Sequence, residues 1–189
     1  GIYGYGFANC TNLTNCTGTG TGDDGLGFWY CTNLTNCAGT GTGTGVNSDG
    51  YGFANCTNLT NCAGTGHDKG CGFWYCTNLT NCTGTGTTGT VAHGFRACTN
   101  LTNCTGKGTG TTVGYGFMEC TNLTNCTGTG TGGTSGYGFY HITTASNCRA
   151  GDVSSTTAMW GGTNTGIDLA TCRKTPVEVT EGELTTLNT

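Results

Sequence analysis

The stretch CTNLTNC occupies residues 10–16, and the same seven letters return unaltered from Cys31, Cys56, Cys76, Cys98 and Cys120. The residues around it drift. All seven phenylalanines follow a glycine, at Phe7, Phe28, Phe53, Phe73, Phe95, Phe117 and Phe139, with separations of 21, 25, 20, 22, 22 and 22 residues. In the first six units one cysteine falls three places after the Phe and a second falls nine places after it. A period of this length belongs to solenoids and other stacked arrays.

The seventh unit departs from the pattern. In GFYHITTASNC, Cys148 keeps the second cysteine position and Ile142 takes the first. Terminal repeats are atypical because one face has no neighbour to bury it. The array is therefore read as residues 1–148, and residues 149–189 as a separate C-terminal cap or assembly segment. Units one and three share FANC while units two and four share FWYC, which points to duplication of a two-unit block.

Neither TGTGTG nor CTNLTNC carries a helical period. Thr and aromatic residues favour strands, and Gly gives the joining turns their freedom. The expected fold is all-β and disulfide-rich, an elongated array of seven units of about 22 residues. Two architectures fit: a β-solenoid, or an intertwined trimeric β fibre. The linkers TGTGTGDDGLG, AGTGTGTGVNSDGYG and AGTGHDKGCG differ in length. Such insertions belong in loops on one face.

Composition narrows the class. The 189 residues include 38 Gly and 15 Cys, with 8% charged and 34% apolar residues. Disorder goes with high charge and few aromatics, whereas this chain has 7 Phe, 8 Tyr and 3 Trp. The net charge is −4, and Lys69, Arg96, Lys107, Arg149, Arg173 and Lys174 form no stripe, against nucleic-acid binding. No apolar run is long enough to span a membrane. The chain opens on Gly1 without a recognisable signal peptide, as a processed chain or a fragment would. Dense cysteine indicates an oxidising, extracellular location.

An extended strand would hold Cys10 and Cys16 about 20 Å apart, far beyond disulfide reach. Either TNLTN folds back and the pair closes locally, or each cysteine bridges to an adjacent coil or chain. Local closure is the expectation, since every intact unit carries both cysteines whatever its linker. It assigns Cys10–Cys16, Cys31–Cys37, Cys56–Cys62, Cys76–Cys82, Cys98–Cys104 and Cys120–Cys126, with Cys148–Cys172 from the damaged unit and the tail. Cys71 is left over, unpaired or intermolecular.

Between the cysteines, Asn and Thr suit tight turns. NLT also matches the glycosylation acceptor at Asn12, Asn33, Asn58, Asn78, Asn100 and Asn122, although Asn and Thr are common enough here to match by accident. One Leu and one Phe per unit make a narrow core, which predicts coil stacking and a homo-oligomer wrapped about a common axis.

The C-x5-C spacing is not that of a zinc site. His67, His93 and His141 lie at unrelated repeat positions and read as surface residues. Asp23, Asp24 and Asp68 sit in linkers without a calcium-loop pattern. No catalytic set is marked, so neither an enzyme nor a cofactor is expected. What varies is the pair after each Phe. Its residues Trp29, Tyr30, Trp74, Tyr75, Arg96, Met118 and Tyr140 are candidate binding residues for a surface glycan or receptor, or else gap-fillers in the stack.

GYGF…CTNLTNCTGTG resembles the Gly-rich tandem units of trimeric phage tail fibres and bacterial surface adhesins across residues 1–148. That resemblance implies a homotrimeric extracellular β fibre that binds at its tip or along its shaft. The short repeats, cysteines and TGTGT arrays are also similar to insect antifreeze solenoids. An ice-binding face, however, needs uniform coils, and the linkers TGTTGTVAHG and TGKGTGTTVG differ. A third reading is a self-assembling filament, with Val177-Glu178-Val179 adding to a neighbour's sheet edge.

Overall fold

The structure, a computed structural model, describes residues 3–44, 48–150, 158–168 and 170–174. Every regular element in them is a β-strand. Of the two architectures left open, the chain adopts the solenoid: it winds in coils of about 22 residues, and equivalent strands stack in parallel into three sheets. One coil consists of Asp24–Trp29, Thr32–Thr35 and Ala38–Gly43. The sheets take their names from their sequences: the GYGF sheet of eight strands, the TNLT sheet of seven and the TGTG sheet of eight. The register is strict, with Phe28 beside Phe53, Leu34 beside Leu59 and Gly39 beside Gly64.

CTNLTNC makes the rounded edge of each coil because it is written in triplets. Three residues spaced three apart adopt left-handed φ in each of the first seven coils: Asn9 (54°), Asn12 (58°) and Asn15 (56°) in the first, Tyr30 (51°), Asn33 (55°) and Asn36 (53°) in the second. Asn tolerates this conformation better than other chiral residues. A turn at every third residue leaves the next residue facing inward, so Cys31, Leu34 and Cys37 are all buried while Asn33 and Asn36 are exposed. Inside the edge, the Phe rings stack with centroids 4.9 Å (Phe7–Phe28), 4.7 Å (Phe28–Phe53) and 4.8 Å (Phe73–Phe95) apart.

The other half of the coil has no side-chain core. Glycines of the GYGF and TGTG sheets face one another, and a β-carbon on Gly72 would lie 2.6 Å from the Gly84 Cα. Ordinary stacked sheets sit about 10 Å apart with interleaved side chains; here backbone meets backbone. Backbone contact between the two sheets thus adds packing that one Leu and one Phe per coil do not supply.

Linker variation falls in the turns between the TGTG and GYGF sheets, such as residues 88–90 and 110–112. It therefore leaves the sheets uniform. Beyond residue 148 all three ladders continue: Ala158–Gly161, Thr165–Ile167 and Arg173–Lys174 form an eighth coil. In it Trp160 stands beside Phe139 and Ile167 beside Ala145. The Val177–Val179 stretch lies outside the described residues.

All fifteen cysteines are free thiols, so the local pairs expected from Cys10–Cys16 to Cys120–Cys126 are not formed. The physical reason is the triplet arc: an inward Leu separates the two cysteines of a coil. Their sulfurs instead meet counterparts in neighbouring coils, Cys31 with Cys56 and Cys62 with Cys82. Two thiol columns result. Cys148 and Cys172 are neighbours in the second column, again as thiols.

Candidate functional site

The packed glycines leave two outer faces on opposite sides of the solenoid. On the TGTG face, alternation sends Gly inward and its neighbours outward, as the alternating burial of Thr127–Thr131 shows. The outward residues form three columns in register: Thr83, Thr105 and Thr127; Thr85, Lys107 and Thr129; Thr87, Thr109 and Thr131. The columns continue through Thr40 and Thr65, and through Thr19 and Thr21 in the first coil. Ala38, Ala63, His67 and Lys107 interrupt them. Rows repeat at about 4.8 Å between coils and about 6.7 Å along a strand. The expectation that variable linkers spoil a regular face is corrected, because those linkers lie beyond the sheet's edge.

The GYGF face is aromatic and grooved. The residue between the two glycines points outward, and the residue after Phe leans back over the preceding coil. Trp29 stacks on Tyr5 at 4.8 Å, Trp74 on Tyr51 at 4.6 Å and Tyr140 on Tyr115 at 4.5 Å. Leu26, Tyr51, Ala54 and Cys71 form a second small core beneath Trp29 and Trp74. A groove of 660 Å³ runs over this layer, lined by Tyr5, Asp24, Leu26, Trp29, Tyr30, Asp49, Tyr51, Asn55, Trp74 and Arg96. Tyr51 donates its hydroxyl to Asp49 Oδ2 at 2.7 Å. Burial, reinforced by that carboxylate, pushes the Tyr51 phenol far up.

Among the candidates from sequence, Trp29, Tyr30, Trp74 and Arg96 come together in the groove. Tyr75 stands edge-on to Trp74 at 5.0 Å on an exposed corner. Met118 and Tyr140 lie farther along the same sheet. The second residue of each variable pair occupies a left-handed turn, with Tyr30 at φ 51°; that is why it projects from a corner rather than packing inward. Asp49 and Tyr51 escaped sequence reading, although the variable position of G-x-G-F marked Tyr51.

Two expectations change. His93 is buried, not superficial, and its Nδ1 has no hydrogen-bond partner. Cys71 is wholly buried on the GYGF face, out of reach of an intermolecular bridge, and burial pushes its thiol up. The side chains of the glycosylation acceptors form a ladder: Asn58 Nδ2 donates to Asn33 Oδ1 at 3.0 Å and Asn100 Nδ2 to Asn78 Oδ1 at 2.9 Å. A glycan would take the atom that builds this ladder, and glycans on successive coils would have to share about 4.8 Å of axis each.

Among the described residues no group of His, Cys, Asp or Glu is placed to hold a metal ion, and no helix is long and apolar enough to cross a membrane. The chain matches no family model, no curated protein and no solved structure.

Proposed function

We propose that this protein binds ice through its TGTG face. The observation that carries the reading is the register of the threonine columns, in which Thr83, Thr105 and Thr127 stand beside one another on a sheet that glycine packing holds in place. Each threonine offers a methyl group and a hydroxyl. In rows about 4.8 Å by about 6.7 Å these groups can order a layer of water on spacings of the same order as those between oxygens in ice. Such a face needs rigidity rather than catalytic groups. An extracellular location suits this role, since ice grows outside cells first.

Thermal hysteresis and ice-recrystallisation inhibition of the purified chain test the proposal. Thr85→Tyr, in the central column, should cut hysteresis about tenfold while stability stays within about 0.5 kcal/mol, as for other exposed sites. Absence of hysteresis in the unaltered chain would end the ice reading.

The groove supports a second reading, an adhesive fibre that holds a surface glycan. Flat stacked aromatics with carboxylate, amide and guanidinium groups at the rim are the chemistry that sugar rings use. Glycan-induced change in Trp fluorescence, abolished in Trp74→Ala but kept in Thr85→Tyr, would favour it. Failure of every glycan tested to perturb Trp29 or Trp74 would count against it.

A further inference from the structure

The two thiol columns have a property that neither the repeat nor the free-thiol state requires. The first runs through coils one to six and stops, because Ile142 replaces cysteine in coil seven and Asn164 stands beside it in coil eight. The second runs unbroken through coils one to eight, ending at Cys172. Both columns therefore hold an even number of cysteines. An even column has only one way to pair neighbours with none left over: coil one with two, three with four, and so on. Coil eight has lost the first-column cysteine and the TNLTN motif, yet keeps the one thiol that makes the second column even.

Geometry permits closure. In-register coils place equivalent Cα atoms about 4.8 Å apart, inside the roughly 4.4–6.8 Å range of disulfides. The Cys10 amide lies 3.4 Å from Cys31 Sγ, and Cys148 hydrogen-bonds Cys172 through their side chains. The pairing also matches the sequence blocks, since coils one–two and three–four are the FANC–FWYC duplicates.

We infer that under oxidising conditions the columns close into inter-coil disulfides between each odd coil and the next even one, leaving Cys71 as the single thiol. Each bridge forms a sulfur–sulfur bond, and two cysteines give up two protons and two electrons. A small-molecule disulfide is the oxidant: one cysteine thiolate displaces a thiol from it, and the neighbouring cysteine then displaces the second thiol. From coil two onward the column cysteines are buried, Cys98 completely, so an outside oxidant reaches them in the folding chain rather than in the finished coil.

The test is refolding of the full chain in a buffer of oxidised and reduced glutathione. Alkylation under denaturing conditions and peptic mapping at acid pH, where exchange is quenched, follow. The expected product carries one alkylatable thiol, Cys71, and linked peptides joining Cys10 to Cys31 and Cys16 to Cys37. Cys172→Ser should expose a second thiol, at Cys148, with the other bridges unchanged; Cys71→Ser should leave none. Linked Cys10–Cys16 peptides, bridges from coil two to coil three, or a fully alkylatable refolded chain would each overturn the pairing.

Discussion

Gly94 and Gly106 lie face to face across one coil, so close that a β-carbon on Gly94 would sit 2.7 Å from the Gly106 Cα. Neither backbone can retreat without breaking hydrogen bonds to the coils on both sides. Gly94→Ala should therefore cost more than about 3 kcal/mol, beyond the usual range of single substitutions. Thr109→Ala, on the outside of the same coil, should stay within about 0.5 kcal/mol. Denaturant unfolding followed by circular dichroism measures both.

Phe95 is wholly buried between Phe73 and Phe117, at 4.8 Å from each ring. Removing it leaves a void inside a continuous stack of rings. Phe95→Ala should cost about 3–5 kcal/mol, and Phe95→Leu distinctly less. Loss of the melting transition in Phe95→Ala, with retention in Phe95→Leu, is the expected calorimetric result.

Asn78 adopts φ 59°, donates Nδ2 to Asn58 and accepts from Asn100. Asn78→Ala loses both bonds and keeps a strained turn, whereas Asn78→Gly loses the bonds but relaxes the backbone. Gly should therefore be the milder replacement, by about 1 kcal/mol. Conversely, Ala97 at φ 54° fills a turn that Asn holds in coils one and three. Ala97→Asn should raise stability by roughly 0.5–1 kcal/mol. Equal melting temperatures for Asn78→Ala and Asn78→Gly would refute the strain argument.

His93 gives the fold a pH dependence. Burial, with a smaller contribution from the Arg96 charge, lowers it from 6.5 to about 4. The unfolded chain then takes up a proton near pH 6.5 that the folded chain refuses until about pH 4. Stability is thus full above pH 6.5 and falls as pH drops towards 4, by about 3 kcal/mol in all. Cys71 and Tyr115 stand beside the ring, and burial pushes both of them up and away from that window. His93→Gln should remove this part of the pH dependence. Parallel stability–pH curves for the two proteins would contradict the account.

The repeat, the all-β class and the coil stacking are legible in the sequence because Phe and cysteine positions are tied to one period. The site is legible only in part. Trp29, Trp74 and Arg96 stand out as variable residues after Phe, but Asp49 and Asn55 reach the groove through coil stacking, a relation between residues about one repeat apart. The cysteines are harder to read. Two thiols six residues apart look like a loop only if the residues between them are counted as one strand. Taken in triplets, as N-C-T, N-L-T, N-C-T in residues 9–17, the same stretch shows three turns with Cys, Leu and Cys all facing inward. TGTGTG misleads in the opposite way, since runs of glycine suggest slack while these glycines let two backbones meet with no room for a β-carbon.

Because every coil adds the same short step of length and leaves the cross-section untouched, this protein is a ruler. Copying a two-coil block extends its reach without asking the existing coils to repack, and even-numbered growth keeps each sulfur column complete. Length, rather than shape, is the quantity that duplication can change in this chain.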